Sequence, residues 1–428
     1  MFKVLVIAYY FPPLGLSGVQ RILKFTKYMS KFNWQPTVIT TGNIAYYAHD
    51  LSLLKEAEEA GINIIRTEGF EINAIIGKQF KTVTMPREFL RNIFSKLSKT
   101  FFIPDNKKSW SKKAFKIAHD LLKKEKFDII FVTIPPFSSF VYAAKLKKEF
   151  KIPLFVDYRD LWFGNHFAFY PTVYHRYKHR ILEYKALREA DKVVVINRRI
   201  KEKLLTTFKF LAFKDIYIIT HGYDPADFEL IEEKFETSNK MRITYAGIFY
   251  ENITPEFFLK AFKQLSNERP DIAANIELEF VGLLRKEYHK LIKELEIDEF
   301  IRDLGYLEHK ETIKRLKRSD ILWMMIGKIQ NADTISTSKL FEYIGSRKPI
   351  LGCVVDGTAK TALQEYGASF ITDPYDIQEI KDTIIHIHEL FSKKKLPKPN
   401  EDFVLKHDRI VLTQQLTKLF QFHLKAES

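Results

Sequence analysis

Short, continuous apolar runs alternate with amphipathic stretches along nearly the whole chain. Runs of strand length fall at residues 4–9, 36–40, 62–65, 129–133, 154–156, 193–196 and 216–219, with amphipathic segments such as 19–31, 112–124 and 138–150 between them. The rhythm restarts after Gly222, with strand-like runs at 243–246, 277–281, 321–325, 350–353 and 369–371. Strands that are apolar throughout, rather than at every second position, are covered on both faces, as parallel strands flanked by helices are. The interval 223–240 is acidic and has little periodicity, so it reads as a join. The pattern therefore predicts an α/β protein of two doubly wound, Rossmann-like domains facing across a cleft. Residues 1–222 make the first domain and 223–400 the second, with a terminal helix in 401–428 packing back onto the first. In such sheets ligands sit at the carboxyl ends of the strands, which directs attention to the loops there.

Composition adds a compartment and a partner class. The 428 residues are 46% apolar and 14% aromatic, as expected for a globular chain of two or more domains. A single cysteine, Cys353, excludes an internal disulfide and a multi-cysteine metal site, which fits a reducing compartment. The first apolar run ends at Pro12 and Pro13 without a small-residue cleavage site, and no run reaches the roughly 18 residues of a membrane span. The expectation is a soluble cytoplasmic protein. Its charge is lopsided: residues 1–220 hold 38 basic and 19 acidic side chains, whereas residues 221–428 hold 30 and 34. A basic first half faces something anionic, such as a phosphorylated substrate or an anionic leaflet, unless the charge only solubilises. Nucleic acid is the weakest option, because zinc-finger spacing, an RNP-like signature and basic repeats are all missing.

The chemistry concentrates in three loops. The stretch 335–351 (ISTSKLFEYIGSRKPIL) reads as a donor-rich loop opening a short helix. Ser336, Thr337 and Ser338 are capping types, and the open N–H groups of a helix start attract an anion. Lys339 adds a cation, and Glu342, one turn on, is placed to take a hydroxyl beside that anion. Phosphate next to a diol is what a nucleotide offers, although an ordinary capped helix with Leu340, Phe341 and Ile344 in the core explains the same residues. After the first strand, YYFPPLGLSGVQRILKF carries Gly15 and Gly18 ahead of a helix, where they allow close backbone approach. This loop is neither a G-x-G-x-x-G fingerprint nor a P-loop. After the fifth strand, Asp157, Arg159 and Asp160 crowd one strand end, either pairing with one another or aimed at a polar substrate.

Taken in order, YYFPPLGLSGVQRILKF, FDIIFVTIPPFSSF, DYRDLW, ITHGYDPADF and SKLFEYIGSRKPILG resemble the family 4 glycosyltransferases of GT-B fold, and within them a bacterial subgroup used in cell-surface polysaccharide assembly. The resemblance covers nearly all of the chain, least clearly residues 43–107. It implies transfer of a sugar from a nucleotide-diphosphate donor to a saccharide or lipid-linked acceptor. Retention of configuration is the family's usual outcome, and neither a metal nor another cofactor is required. By position it implies that Gly15 and Gly18 approach the donor phosphates, that the 336–338 amides hold the diphosphate, and that Glu342 binds the ribose as the second glutamate of E-x₇-E. Asp160 takes the place of an acidic residue of the catalytic site, and Arg159 a place often held by histidine.

Two positions depart from that pattern. The first glutamate falls at Thr334, with Asp333 one residue away, and Gly247 is followed by Ile248 and by Ile253 or Thr254 where basic residues are usual. Lys339, Arg159 and the 336–338 amides are the expected replacements, because a diphosphate leaving group needs its charge offset. Two other functions remain open: a catalytically degenerate scaffold that binds nucleotide sugar, and a GT-B epimerase. Residues 87–102 (REFLRNIFSKLSKTFF) form a basic amphipathic helix, which either packs on the first domain or docks on an anionic membrane at the inner face of the cell.

Overall fold

The computed structural model describes residues 1–42, 44, 46–67, 88–165, 168–229, 240–249 and 253–427. It divides into two compact units, residues 1–220 with 409–428, and residues 221–408. Of the expected join, residues 230–239 lie outside the described residues, as does Arg87 of the basic helix.

The first unit is built on a seven-stranded parallel sheet. Its strands are β1 (Phe2–Ile7), β2 (Trp34–Thr40), β3 (Asn63–Arg66), β4 (Ile129–Ile134), β5 (Leu154–Tyr158), β6 (Lys192–Val195) and β7 (Ile216–Ile218), in the order β3-β2-β1-β4-β5-β6-β7. The apolar runs of the inner strands β1, β2, β4, β5 and β6 arise because these strands are buried on both sides, whereas the edge strands β3 and β7 are partly exposed. Leu5 and Ile7 enter one core with Ile130, Val132 and Ile134, while Val4 and Val6 enter the other with Ile129 and Phe131. The second core is closed by the last helix, Arg409–Glu427, which brings in Leu412, Leu416, Leu419 and Phe420. The Phe420 ring meets those of Trp34, Phe131 and Phe155 edge-on, with centroids 5.2, 5.6 and 4.8 Å away.

The second unit carries a six-stranded parallel sheet, β8 (Met241–Ala246), β9 (Ile276–Val281), β10 (Ile301–Asp303), β11 (Ile321–Ile326), β12 (Ile350–Val354) and β13 (Ser369–Thr372), ordered β10-β9-β8-β11-β12-β13. The hydrophobic pattern misses β10. That strand is three residues long, lies at an edge and offers one apolar side chain, so it has no periodicity to read. The terminal segment expected as one helix over 401–428 is two: Glu401–Lys406 stays with the second unit, and Arg409–Glu427 belongs to the first. Each sheet reverses its winding once, between β1 and β4 and between β8 and β11. Those reversals open a crevice at the carboxyl ends of the strands.

Candidate functional site

In the second unit, the helix Ser338–Ser346 packs its start against the β8/β11 reversal. The ladder there covers only Ile321↔Ile243 and Leu322↔Thr244. Beyond it the Tyr343 hydroxyl bridges the two strands, accepting from the Ala246 N–H at 2.8 Å and donating to the Trp323 carbonyl at 3.1 Å. Tyr343 is fully buried, so this bridge satisfies backbone groups that would otherwise be stranded.

The bond that fixes the helix leaves its first turn open. Thr337 is the capping residue in extended conformation, yet its side chain makes no capping hydrogen bond. Its hydroxyl is buried and has no hydrogen-bond partner among the described residues. Three hydroxyls and a set of helix-start amides thus gather without a capping side chain.

Lys339 completes the group. Its ammonium stands 3.7 Å from the centre of the Tyr245 ring and beside Gly247, where an added Cβ would come within 2.5 Å of Nζ. Gly247 has φ 141°, a conformation that other residues rarely adopt, so the backbone calls for glycine there, and a Cβ would also displace the Lys339 ammonium. Burial pushes the Lys339 pKa down to about 7, against the pull of Glu342. Glu342, one turn along, lies 3.9 Å from His309 Nδ1, and His309 Nε2 is 2.9 Å from an Asp227 carboxylate oxygen.

Asp333 and Thr334 sit in the short turn Ala332–Thr334 just before this group. The Thr334 hydroxyl donates to the Asn331 carbonyl at 2.8 Å and so closes the turn on itself. The Asp333 carbonyl accepts from the Thr358 hydroxyl at 2.9 Å, and the backbone of Gly357 approaches so closely that a Cβ there would lie 2.7 Å from the Asp333 Cα. The structure therefore brings together Gly247, Ser336, Thr337, Ser338, Lys339 and Glu342, with Asp333 pinned at their edge.

In the first unit, the strand-end cluster separates into different jobs. Asp157 is fully buried and pairs with neither Arg159 nor Asp160. It takes a two-toothed bond from Arg21, with Nη2 at 2.8 Å and Nε at 3.1 Å, and a third from the Thr133 hydroxyl. Arg21 also donates to the carbonyls of Ile219 and Thr220, so this pair ties the first helix to β4, β5 and the end of β7.

Arg159 serves the crevice loops directly. Its guanidinium donates to the carbonyl of Gly18 and, at 2.7 Å, to that of Pro135, joining the helix start that follows the β1 loop to the loop after β4. These bonds make Arg159 a clamp on loop backbone, a different use of its charge from the expected offset of a diphosphate. The glycines of the β1 loop owe their place to something other than a left-handed backbone. Neither Gly15 nor Gly18 adopts positive φ; Leu16 does, at 69°. Gly15 donates its N–H to the Ala48 carbonyl at 2.9 Å, and Gly18 lies in the first turn of the helix Ser17–Met29.

Asp160, just past β5, is half-buried and makes no hydrogen bond or ion pair among the described residues. The loop that carries it is held from behind by Glu183, which accepts from the Phe163 N–H at 2.8 Å and lies 3.2 Å from the Tyr158 hydroxyl. Glu183 is fully buried, and that burial raises its pKa to about 8. Tyr245, Tyr343, His309 and Glu183 were not singled out in the sequence. Tyr245 and Tyr343 had a signal, the first near a strand end beside Gly247 and the second next to Glu342; His309 and Glu183 reach their places from distant helices.

Comparison with known proteins adds a family match over part of the chain and a fold over all of it. Residues 80–227 match the model of Glycosyltransferase Family 4. No curated protein matches the sequence. Among solved structures, the chain is similar to a glycosyltransferase from Rickettsia africae ESF-5 at 16% identity and TM-score 0.66, covering 100% of this chain and 99% of that one. It is similar to Anabaena Alr3699/HepE, solved in complex with UDP, at 13% identity and TM-score 0.62, over 98% and 100% of the two chains. It is also similar to a putative UDP-N-acetylglucosamine 2-epimerase from Listeria monocytogenes, at 13% identity and TM-score 0.60, over 99% and 97%. At these identities the likeness carries the fold of two Rossmann-like domains.

Proposed function

We propose that the chain moves a sugar from a nucleotide-diphosphate donor to an acceptor hydroxyl, a reading supported by the match of residues 80–227 to the model of Glycosyltransferase Family 4. The observation that carries this reading is the open start of the helix Ser338–Ser346. An uncapped turn with the 336–338 hydroxyls, and an ammonium held beside Gly247, match the needs of a diphosphate that gains charge as its bond to the sugar breaks. Lys339 takes the place of the basic residues that the stretch after β8 lacks. Glu342, oriented by His309, takes the ribose hydroxyls. In the first unit Asp160 addresses the acceptor hydroxyl, and Arg159 shapes the loops around it.

We extend the proposal to retention of anomeric configuration, metal-independent transfer, and a place in cell-surface polysaccharide or glycolipid assembly. The UDP complex of a structural neighbour supports uridine diphosphate as the first nucleotide to test. A second reading, epimerisation of a sugar nucleotide, is favoured by the epimerase among the neighbours. It predicts interconversion of the donor with no acceptor present, which a transferase does not perform.

The deciding experiment uses Lys339→Ala. Transfer is expected to fall by roughly 10²-fold, the scale of losing one preorganised donor to developing charge. Because the Lys339 pKa lies near 7, nucleoside-diphosphate affinity in the unaltered protein is expected to weaken as pH rises through that value, and to lose this dependence in the variant. An unchanged transfer rate and an unchanged pH profile would remove Lys339 from the site.

A further inference from the structure

The first unit gathers exposed apolar side chains in one place. Of the eighteen large hydrophobic residues exposed among the described residues, nine lie between Ile93 and Tyr177, most of them on two helices. On the helix Glu88–Phe101, Ile93, Phe94, Leu97 and Phe101 recur at the spacing of a single face, with Phe101 76% exposed. The helix Val173–Leu187 repeats the arrangement at its start, through Val173, Tyr174 and Tyr177, with Val173 85% exposed. The two helices meet. His175 Nε2 lies 3.0 Å from the Thr100 carbonyl, and the Lys96 ammonium lies 5.7 Å from the centre of the Phe169 ring.

The charge on this face has one sign. Residues 89–104 and 161–182 contain no aspartate or glutamate, whereas Lys96, Lys99, Arg176, Lys178 and Arg180 punctuate the apolar positions. We propose that the two helices together form a docking face for an anionic lipid leaflet. The aromatic and aliphatic side chains enter the headgroup boundary, and the long basic side chains reach the lipid phosphates. A second copy of this chain is the poorer occupant, since pairing the face with itself would oppose like charges. No helix among the described residues is long and apolar enough to cross a membrane, so the contact lies on the surface. Within the expected basic helix, residues 93–101 supply one half of this face; the other half, at 173–180, is joined to it only by folding.

The proposal stands apart from donor turnover, because it is tested without a substrate. The full chain is sedimented with vesicles of phosphatidylcholine, with and without phosphatidylglycerol, at low and high salt. Binding is expected on the anionic vesicles at low salt and little on the neutral ones, with release as the screening length shrinks from about 10 Å at 0.1 M to about 3 Å at 1 M. Phe94→Ser with Phe101→Ser, and separately Tyr174→Ser with Tyr177→Ser, are each expected to lower partition at least about tenfold. All four positions are exposed, so the melting temperatures should stay as they are, and melting curves identify any variant that has lost its fold. Absence of binding to anionic vesicles, or equal binding to neutral ones, would overturn the proposal. So would variants that bind unaltered, or a concentration-dependent dimer that the same variants abolish, which would mark a protein interface.

Discussion

Asp160 and Glu342 are carboxylates with different surroundings, and the difference predicts how each fails. Glu342 sits in the second turn of a helix beside His309, and in the proposed role it would grip the donor ribose in ground state and transition state alike. Losing a charge-assisted hydrogen bond costs roughly 1.5–3 kcal/mol, so Glu342→Gln should weaken donor binding by about one to two orders of magnitude and leave kcat largely intact. Asp160 has no partner among the described residues to neutralise it, as suits a group that orients or takes the proton of an acceptor hydroxyl. Its replacement by asparagine should lower kcat about 10²–10⁴-fold, with little change in donor KM. Steady-state kinetics against varied donor separate the two, and a raised donor KM with unchanged kcat in Asp160→Asn would move that residue out of the reaction.

At the scale of elements, the loop after β5 depends on a helix that follows it. Glu183, on the helix Val173–Leu187, holds the Phe163 amide while buried away from water. Its pKa of about 8 lies above the ordinary 4.5, so between these values the folded chain binds more protons than the unfolded one. Stability therefore falls as pH rises through that window, by up to about 1.4 kcal/mol per pH unit from this group. Glu183→Gln keeps the shape and removes the titration. The pH dependence of thermal unfolding between about 5 and 8 is expected to be shallower in the variant than in the parent; equal slopes would show that Glu183 ionises normally. Tyr343 does comparable work in the second unit, where its hydroxyl joins strands at the point where their ladder ends.

At the scale of the whole molecule, the first unit is finished only by the end of the chain. Phe420, fully buried, inserts among Trp34, Phe131 and Phe155, more than 260 residues away in sequence. Truncation of a buried phenylalanine typically costs about 3–5 kcal/mol. Phe420→Ala is accordingly expected to lower the denaturant midpoint of the first unit while the second, residues 221–408, keeps its own. Tryptophan emission is a suitable probe, with Trp34, Trp110 and Trp162 in the first unit and Trp323 in the second. A loss shared equally by both units would mean that they unfold as one.

The sequence by itself determined the class of fold, because strands buried on both faces must be apolar at every position, and that leaves a mark no surface requirement can imitate. Twelve strand-like runs were legible, the inner ones on that ground, and β10 was not, since three residues at a sheet edge bury too little to constrain their identity. The candidate loops were legible for a related reason: glycine, capping residues and a lone cation beside an apolar helix announce a helix start. What those side chains touch was decided by tertiary structure alone. Asp157, Arg159 and Asp160 look alike in the sequence, yet one is locked to Arg21, one clamps two loops and one keeps its carboxylate unpaired among the described residues. Their partners lie up to 141 residues away, and no local pattern encodes which of three neighbouring charges meets them. The pairing of two basic amphipathic helices into one face has the same origin, a contact between Thr100 and His175 that exists only once the chain has folded.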